Sequence, residues 1–413
     1  MENTLVNPSK KQWIALVFCV IAGCYGPMFQ YCHGTLADYI MGEYGLSYTQ
    51  WGTINSVYSF ACGFGLFIVG AFVEKLGCKK WTVLGMALMI LGHAVFFFAP
   101  NYTVLLLARV VSGFGNACIY NAAYTLAVHW FQGTNKMGVA TGSMTAADGI
   151  GTFFALYIFS IIINAMGMVT GNIAVIIIAC VILAVLIFTL KDPGEAENEN
   201  VEITSAADEG KFEKAWNRNT IAHALIVTGV LGGLGVANYW GPTMLMDMGV
   251  SNSVSGLFST LYTAVGIFSG LIFGAVSDKM GKRKPSLLFA GIGMVLGYIV
   301  MILGSLWSSA ILFTIAFMLT GFCAYVAYPI GFALISDTVK ASKIGEANGI
   351  IQGVSFLIGM IVFQQVVGIL KDLTGLYWGG LAFCAVLVFI VNVLAVIIFA
   401  KEKNEVIASN SKK

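Results

Sequence analysis

An all-α membrane protein of twelve spanning helices is the fold class this sequence predicts. Three observations predict it. Twelve apolar stretches fill almost the whole of the 413 residues, and 58% of the chain is hydrophobic against 10% charged. The charged residues fall in the short gaps between those stretches, and the second half repeats the pattern of the first. A helix needs about 20 mainly apolar residues to cross a bilayer, and backbone facing lipid is satisfied only within a helix or a closed barrel. Runs such as Trp81–Pro100, Ile173–Leu190 and Trp378–Ala400 therefore read as helices.

Taken in order, the spans read as 13–38, 49–73, 80–99, 102–130, 137–163, 168–190, 219–245, 252–276, 285–305, 308–338, 344–370 and 376–400. Twelve crossings put both termini on one side. Of the 22 Lys and Arg, every one except Arg109 and Lys371 falls in a terminus or a gap on that side, which the positive-inside rule makes the cytoplasm. The polar segment Met1–Lys11 runs into the first span without a small-residue cleavage pattern, so that span is expected to persist. Net charge is only +2, because Glu195, Glu197, Glu199, Glu202, Asp208 and Glu209 make the central linker acidic. Nucleic acid is excluded as a partner. None of the nine cysteines forms a CxxC pair and eight lie in spans, where a thiol packs as a small hydrophobe.

The gap after the second span reads Gly70-Ala-Phe-Val-Glu74-Lys75-Leu-Gly77-Cys-Lys79-Lys80. After the eighth it reads Gly274-Ala-Val-Ser-Asp278-Lys279-Met-Gly281-Lys282-Arg283-Lys284, which is the same pattern 204 residues later. Gly113 with Gly321, Tyr120 with Tyr328, Gly138 with Gly345 and Gly142 with Gly349 follow at a nearly constant offset. The chain thus divides into a half at 1–190, a cytoplasmic linker at 191–218, a half at 219–400 and a tail at 401–413. Duplicated halves of this kind place a solute site between them, reached alternately from either face.

The duplicated G-x-x-x-[DE]-[KR]-x-G-x-[KR]-[KR] loop resembles the signature of the major facilitator superfamily, and the likeness covers essentially the whole chain. It implies two pseudo-symmetric six-helix halves, the major facilitator fold, and a secondary transporter rather than an enzyme. Gly70, Glu74, Gly77, Lys79, Gly274, Asp278, Gly281 and Arg283 are the expected gating residues. In that role Gly70 and Gly274 let helix ends approach, while Glu74 and Asp278 form a latch with nearby cations.

Two charges lie deep within the spans, Arg109 and Asp148. At about 1.5 Å per residue they sit about 10 Å and about 16 Å from opposite faces of a core about 30 Å thick, which permits a pair between them. A charge at such depth costs at least about 2.5 kcal/mol and normally faces a cavity or a partner. Arg109 followed by Gly113-Phe-Gly115 resembles the superfamily's fourth-helix motif, which implies proton or substrate coupling. The structural alternative has Arg109 bonding carbonyls of a first helix broken around Gly26-Pro27. Asp148 reads either as the buried partner of Arg109 or as a proton site. His93 reads as a packed neutral histidine, and His33, His129 and His223, near helix ends, as interfacial.

The fold implied by the resemblance lines its cavity with the first, fourth, seventh and tenth helices, flanked by the second, fifth, eighth and eleventh. Tyr25, Gln30, Asn116, Tyr120, Tyr124, Asn238, Tyr239, Tyr262, Tyr325, Tyr328 and Gln352 join Arg109 as candidate substrate-binding residues, with Tyr31, Asn121, Trp240, Gln364 and Gln365 beside them. The run His129-Trp130-Phe131…Gly138-Val-Ala-Thr-Gly142…Gly149-Ile-Gly151 resembles the oxalate/formate antiporter and monocarboxylate transporter group. That likeness implies a small organic anion. Carriers of that group place a cation in the eighth helix, and those for oxalate add one in the eleventh, yet Val254–Gly274 and Ile350–Leu370 hold no Arg or Lys. A monoanion or a neutral polar solute therefore fits better than a dicarboxylate.

The expected function is secondary active transport of a small organic solute of the monocarboxylate type, by proton symport or anion exchange. The expected partners are that solute, protons and the lipid bilayer, with the chain acting as a monomer in a bacterial inner (plasma) membrane. A proton-coupled drug or metabolite exporter is the alternative; against it, the fifth span lacks the proline of the antiporter glycine motif. A non-transporting sensor would normally carry a large soluble domain. No G-x-x-x-x-G-K-[ST] loop and no H-E-x-x-H spacing occurs, so neither a cofactor nor a metal is expected.

Overall fold

The computed structural model describes residues 6–131, 134, 136–193, 214–339 and 344–410. Among them there is no strand. The helices are α1 (Lys10–Tyr31), α2 (Ala37–Tyr44), α3 (Tyr48–Leu76), α4 (Cys78–Phe97), α5 (Tyr102–Phe131), α6 (137–166), α7 (Met168–Thr189), α8 (Arg218–Asp247), α9 (Asn252–Met280), α10 (Lys284–Leu306), α11 (Ala310–Thr338), α12 (344–374), α13 (Trp378–Phe399) and α14 (Lys403–Asn410). Eleven spans among the described residues are long and apolar enough to cross a membrane, and α9, with 29 residues, matches them in length. Large apolar side chains point outward, among them Phe188 at 81% and Ile311 at 74% exposure. An apolar exterior on this scale has hydrocarbon as its solvent, and the chain is a multi-pass membrane protein.

The first span departs from expectation in one respect. α1 runs unbroken through Gly26 and Pro27 to Tyr31, and the interruption falls at Cys32–Leu36, where a 3-10 turn leads into α2. Pro27 is tolerated because small neighbours surround it. The Asn116 side chain sits against Gly26, and the Pro27 ring packs on Gly151. Four spans also contain a π-turn, at Phe154–Ile158, Val236–Trp240, Phe356–Met360 and Phe389–Leu394. Such turns occur at functional sites and re-aim the side chains that follow.

Contacts divide the chain into two compact units. One holds residues up to His33 together with those from Phe60 into the linker; the other holds Gly34–Ser59 and everything from the linker onward. The continuous helix α3 therefore begins in the second unit and ends in the first. The two units are built alike. In the first, α6 crosses α1 where Gly151 meets the Cys24 carbonyl; in the second, α12 crosses α8 where Gly359 meets the Thr228 carbonyl. A Cβ at either glycine would collide with that backbone, so the close crossing requires glycine.

Candidate functional site

In the first unit the polar centre is built on α1, α3 and α5. Arg109, only 2% exposed, donates from Nη2 to the Gln30 carbonyl at 3.3 Å, and its guanidinium lies 5.9 Å from the Phe96 ring centroid. Two turns further along α5, Asn116 donates to Gln30 Oε1 at 3.3 Å and to Cys62 Sγ at 3.6 Å. Arg109, Gln30 and Asn116, chosen separately from the sequence, thus form one connected group. The i, i+7 spacing of Arg109 and Asn116 aims both at α1.

Asp148 is half-buried on α6, within electrostatic range of the Cys24 thiol. Arg109 meets α1 at Gln30, six residues after Cys24. Tyr25 is buried and donates to the Ala179 carbonyl of α7 at 2.8 Å, while Tyr124 donates to the Thr141 carbonyl of α6 at 3.3 Å. Tyr120 is half-buried on α5. His93 is buried in the packed setting expected of it, against Phe29, Phe97 and Phe159, with Cys32 Sγ 3.4 Å from Nδ1. Two of the histidines expected at the interface are instead interior. His33 packs on Phe96 and His223 on Phe332, both fully enclosed, because Gly331 leaves the His223 ring room against α11.

In the second unit Asn238, Tyr239 and Trp240 all lie on the π-turn of α8 and all are fully buried. The Tyr262 and Tyr298 hydroxyls converge on Gly233, where an added Cβ would lie 2.9 and 3.3 Å from them. Gln352 donates to the Tyr328 hydroxyl, joining α12 to α11, and Tyr325 packs its ring on Gly266.

The signature loops repeat in three dimensions. Gly77 and Gly281 both take left-handed backbone, at φ +87° and +62°, a conformation that costs residues bearing a Cβ. After Gly77, the Lys79 amide donates to Asp192 at 3.0 Å; after Gly281, the Arg283 and Lys284 amides donate to Glu402 at 2.9 and 2.8 Å. Each loop thus ends in a helix N-terminus capped by the carboxylate that follows the last span of its own half. Arg283 also pairs with Asp337 at 2.9 Å and donates to Ser277 at 3.0 Å. Gly70 lies against Asn121. The side chains of Glu74 and Asp278, and the packing at Gly274, lie outside the described residues.

Asp192 and Glu402 carry no motif that marks them as loop partners, whereas Asp337, near the inner end of the tenth span, reads from the sequence as a gate or capping carboxylate. A second group absent from the candidates sits at the far end of the second unit, where Lys371 pairs with Asp247 at 3.2 Å and covers the Tyr377 ring at 3.9 Å. Burial, with Asp247, Tyr48 and Asp38 nearby, pushes the Tyr377 phenol well above its ordinary range, so it remains an O–H.

The chain is 24% identical over 391 residues to the probable galactarate/D-glucarate transporter GudP of Bacillus subtilis, covering 84% of this chain and 82% of that one. It is 23% identical over 393 residues to the hexuronate transporter of the same organism, covering 90% and 91%. It is also 23% identical over 401 residues to the quinolone resistance protein NorB of Staphylococcus aureus, covering 81% and 84%. The crystal structure of a D-xylose-proton symporter superposes with a TM-score of 0.72 at 14% identity, covering 95% of this chain and 99% of that one, and shows the same fold. The model of the Major Facilitator Superfamily matches residues 16–363, and the chain belongs to that superfamily of secondary transporters.

Proposed function

We propose that this transporter carries a small hydroxylated monocarboxylate, a sugar acid of one negative charge, by proton symport or anion exchange. The observation that carries the reading is Arg109, a buried guanidinium fixed on the Gln30 carbonyl beside the Asn116 amide. A guanidinium has five N–H donors in a planar fork. A carboxylate is matched to the geometry of two of them. A single deep cation suits one carboxylate, while Gln30 and Asn116 are suited to hydroxyls. The name of the hexuronate transporter supports a sugar acid of one negative charge, whereas galactarate and D-glucarate, in the name of the other relative, are dicarboxylates; the W-F…G-x-A-x-G…G-x-G run supports kinship with the oxalate/formate and monocarboxylate carriers. Asp148 is the proposed proton site. The positive-inside asymmetry supports cytoplasmic termini in a bacterial plasma membrane, and we take the monomer as the working unit.

Proteoliposome uptake tests this. D-glucuronate and D-galacturonate should show saturable uptake that a pH gradient or internal anion accelerates, with lactate weaker and D-glucarate, oxalate and D-xylose poor. Preference for D-xylose or for a dicarboxylate would defeat the reading. Export of aromatic drugs is the second reading, favoured by the likeness to NorB, and pH-driven transport of a quinolone in the same vesicles would establish it instead.

A further inference from the structure

The His223 ring lies where the linker-side end of α8 crosses α11 in the second unit. It is fully enclosed, and among the described residues neither Nδ1 nor Nε2 has a hydrogen-bond partner. Gly331 makes the notch that admits it, since a Cβ on that residue would collide with the Nδ1 edge of the ring. Phe332 meets the ring edge-on with centroids 4.5 Å apart, and packs in turn on Tyr328, whose hydroxyl accepts from Gln352. One turn nearer the linker, Asn219 donates to Thr338 Oγ1 and to the Lys401 carbonyl, each at 3.0 Å. A ring with two polar edges is thus packed as an apolar body.

The elements packed at this end of α8 carry few charges. They are Arg218 of α8, which donates to the Ile398 carbonyl; Asp337 of α11, paired with Arg283; and, after α13, Lys401 and Glu402, the latter capping α10. Tyr328 is the titratable neighbour beyond Phe332. None of these acts electrostatically on the ring, while Lys340, Lys343 and the side chain of Glu346 lie outside the described residues. An imidazolium in the notch would have neither acceptors for its N–H groups nor a counter-charge, so the enclosed ring is neutral. Water has a short way to come, because His223 lies five residues from the start of α8, about 8 Å along its axis. If these last turns part, the Asn219 hydrogen bonds exchange for bonds to water and both ring nitrogens are wetted.

We propose that His223 is a proton-binding site of the second half, filled when the linker-side ends of α8 and α11 part. Its charge then works against closure, since the ring returns to the Gly331 notch only after giving up the proton. A wetted imidazole titrates near pH 6.5. The enclosed ring binds no proton, so opening takes one up, and each pH unit below about 6.5 shifts the balance about tenfold toward the open form. This proton is distinct from the one proposed for Asp148, which lies in the first unit. With the linker in the cytoplasm, as proposed above, the carrier responds to cytoplasmic acidity; the site itself rests on neither that orientation nor the solute.

The experiment is hydrogen exchange followed by mass spectrometry on the purified full chain in detergent, at pH 7.5 and 5.5, with each rate divided by the intrinsic rate at that pH. In the segment 330–338 of α11 the parent should exchange about tenfold faster at pH 5.5 on this scale, the ratio that one newly exposed imidazole of pKa about 6.5 imposes. His223→Gln keeps a polar side chain that does not titrate, and its two rates should agree within about twofold. Asp337 and the other carboxylates are intact in that variant, so an effect of theirs would persist in it. Gly331→Ala, whose methyl takes the place of the ring, should at pH 7.5 exchange at least as fast as the parent at pH 5.5 and rise less than about twofold on acidification. It carries the test if His223→Gln fails to fold. A parent ratio below about threefold, a tenfold ratio retained in His223→Gln, or slow exchange of Gly331→Ala at pH 7.5 overturns the proposal. No solute is present, so the result stands apart from the uptake experiments.

Discussion

Arg109 is held as a buried arginine must be, with hydrogen bonds at its charged end, and its partner on α1 is a main-chain carbonyl that no substitution at Gln30 removes. Replacing the arginine therefore changes the charge while leaving the groups around it in place. Under the monocarboxylate reading, Arg109→Gln should abolish saturable D-glucuronate binding. Arg109→Lys should weaken it about tenfold, since a point charge does not reproduce a two-donor fork. Asp148 is half-buried on α6, within electrostatic range of the Cys24 thiol. As a proton site its Asn variant should fold and keep solute exchange while losing pH-driven accumulation, because the amide mimics a permanently protonated acid. Low folded yield of Asp148→Asn, recovered in the Arg109→Gln/Asp148→Asn double variant, would identify a structural pair instead. Isothermal titration and counterflow measurements on purified protein separate these outcomes. Arg109 was legible in the sequence because a charge inside an apolar run is costly and stands out. Its contact with the Gln30 carbonyl was not, since backbone partners leave no mark on composition.

At the scale of elements, spans were readable because lipid imposes one requirement along the whole of each helix. Their interruptions were not. Gly26-Pro27 looks like a break, yet α1 continues through it to Tyr31, with Gly26 leaving room for the Asn116 side chain and Gly151 for the Pro27 ring. The repeated loops were readable as loops, and Gly77 and Gly281 do take left-handed backbone. What ties each loop down comes from the far end of its half, where Asp192 and Glu402 look like ordinary solvated charges. A carboxylate on a helix N-terminus contributes about 0.3–1 kcal/mol, more where partly buried. Glu402→Gln should therefore lower the melting temperature in detergent by a few degrees, and Asp192→Asn by less, since Glu402 accepts from two amides and Asp192 from one. High salt should shrink both effects, because the charge–dipole part is screened. Equal melting temperatures for both variants and the parent would show that the caps do not hold the loops.

For the whole molecule, duplication was the most legible property, and it recurs in the packing: glycine crossings at Gly151 and Gly359, and carboxylate caps on α4 and α10. The contact of α3 with α12, where Thr53 and Ser56 bond Gln365, left no trace in sequence. Thr53, Ser56, Gln364 and Gln365 are scattered small polar residues, and only the pairing of two distant spans makes them a surface. The duplicated loop is the proposed inner gate, in which Gly70 and Gly274 would permit close approach and Glu74 and Asp278 would supply the latch. A gate apart from the solute site should, when changed, alter the populations of the two access states and leave the intrinsic affinity of the site in place. Gly274→Leu and Asp278→Asn should then reduce D-glucuronate turnover at least about tenfold while changing its equilibrium dissociation constant by less than about threefold, given the modest shift a single lost pair imposes. The two variants should also differ from each other. Asp278→Glu keeps the charge and should restore the turnover lost in Asp278→Asn, whereas Gly274→Ala should recover the turnover lost in Gly274→Leu only in part, because alanine is still larger than glycine. Loss of affinity in proportion to loss of turnover would place these residues at the solute site and remove the loop from the gate.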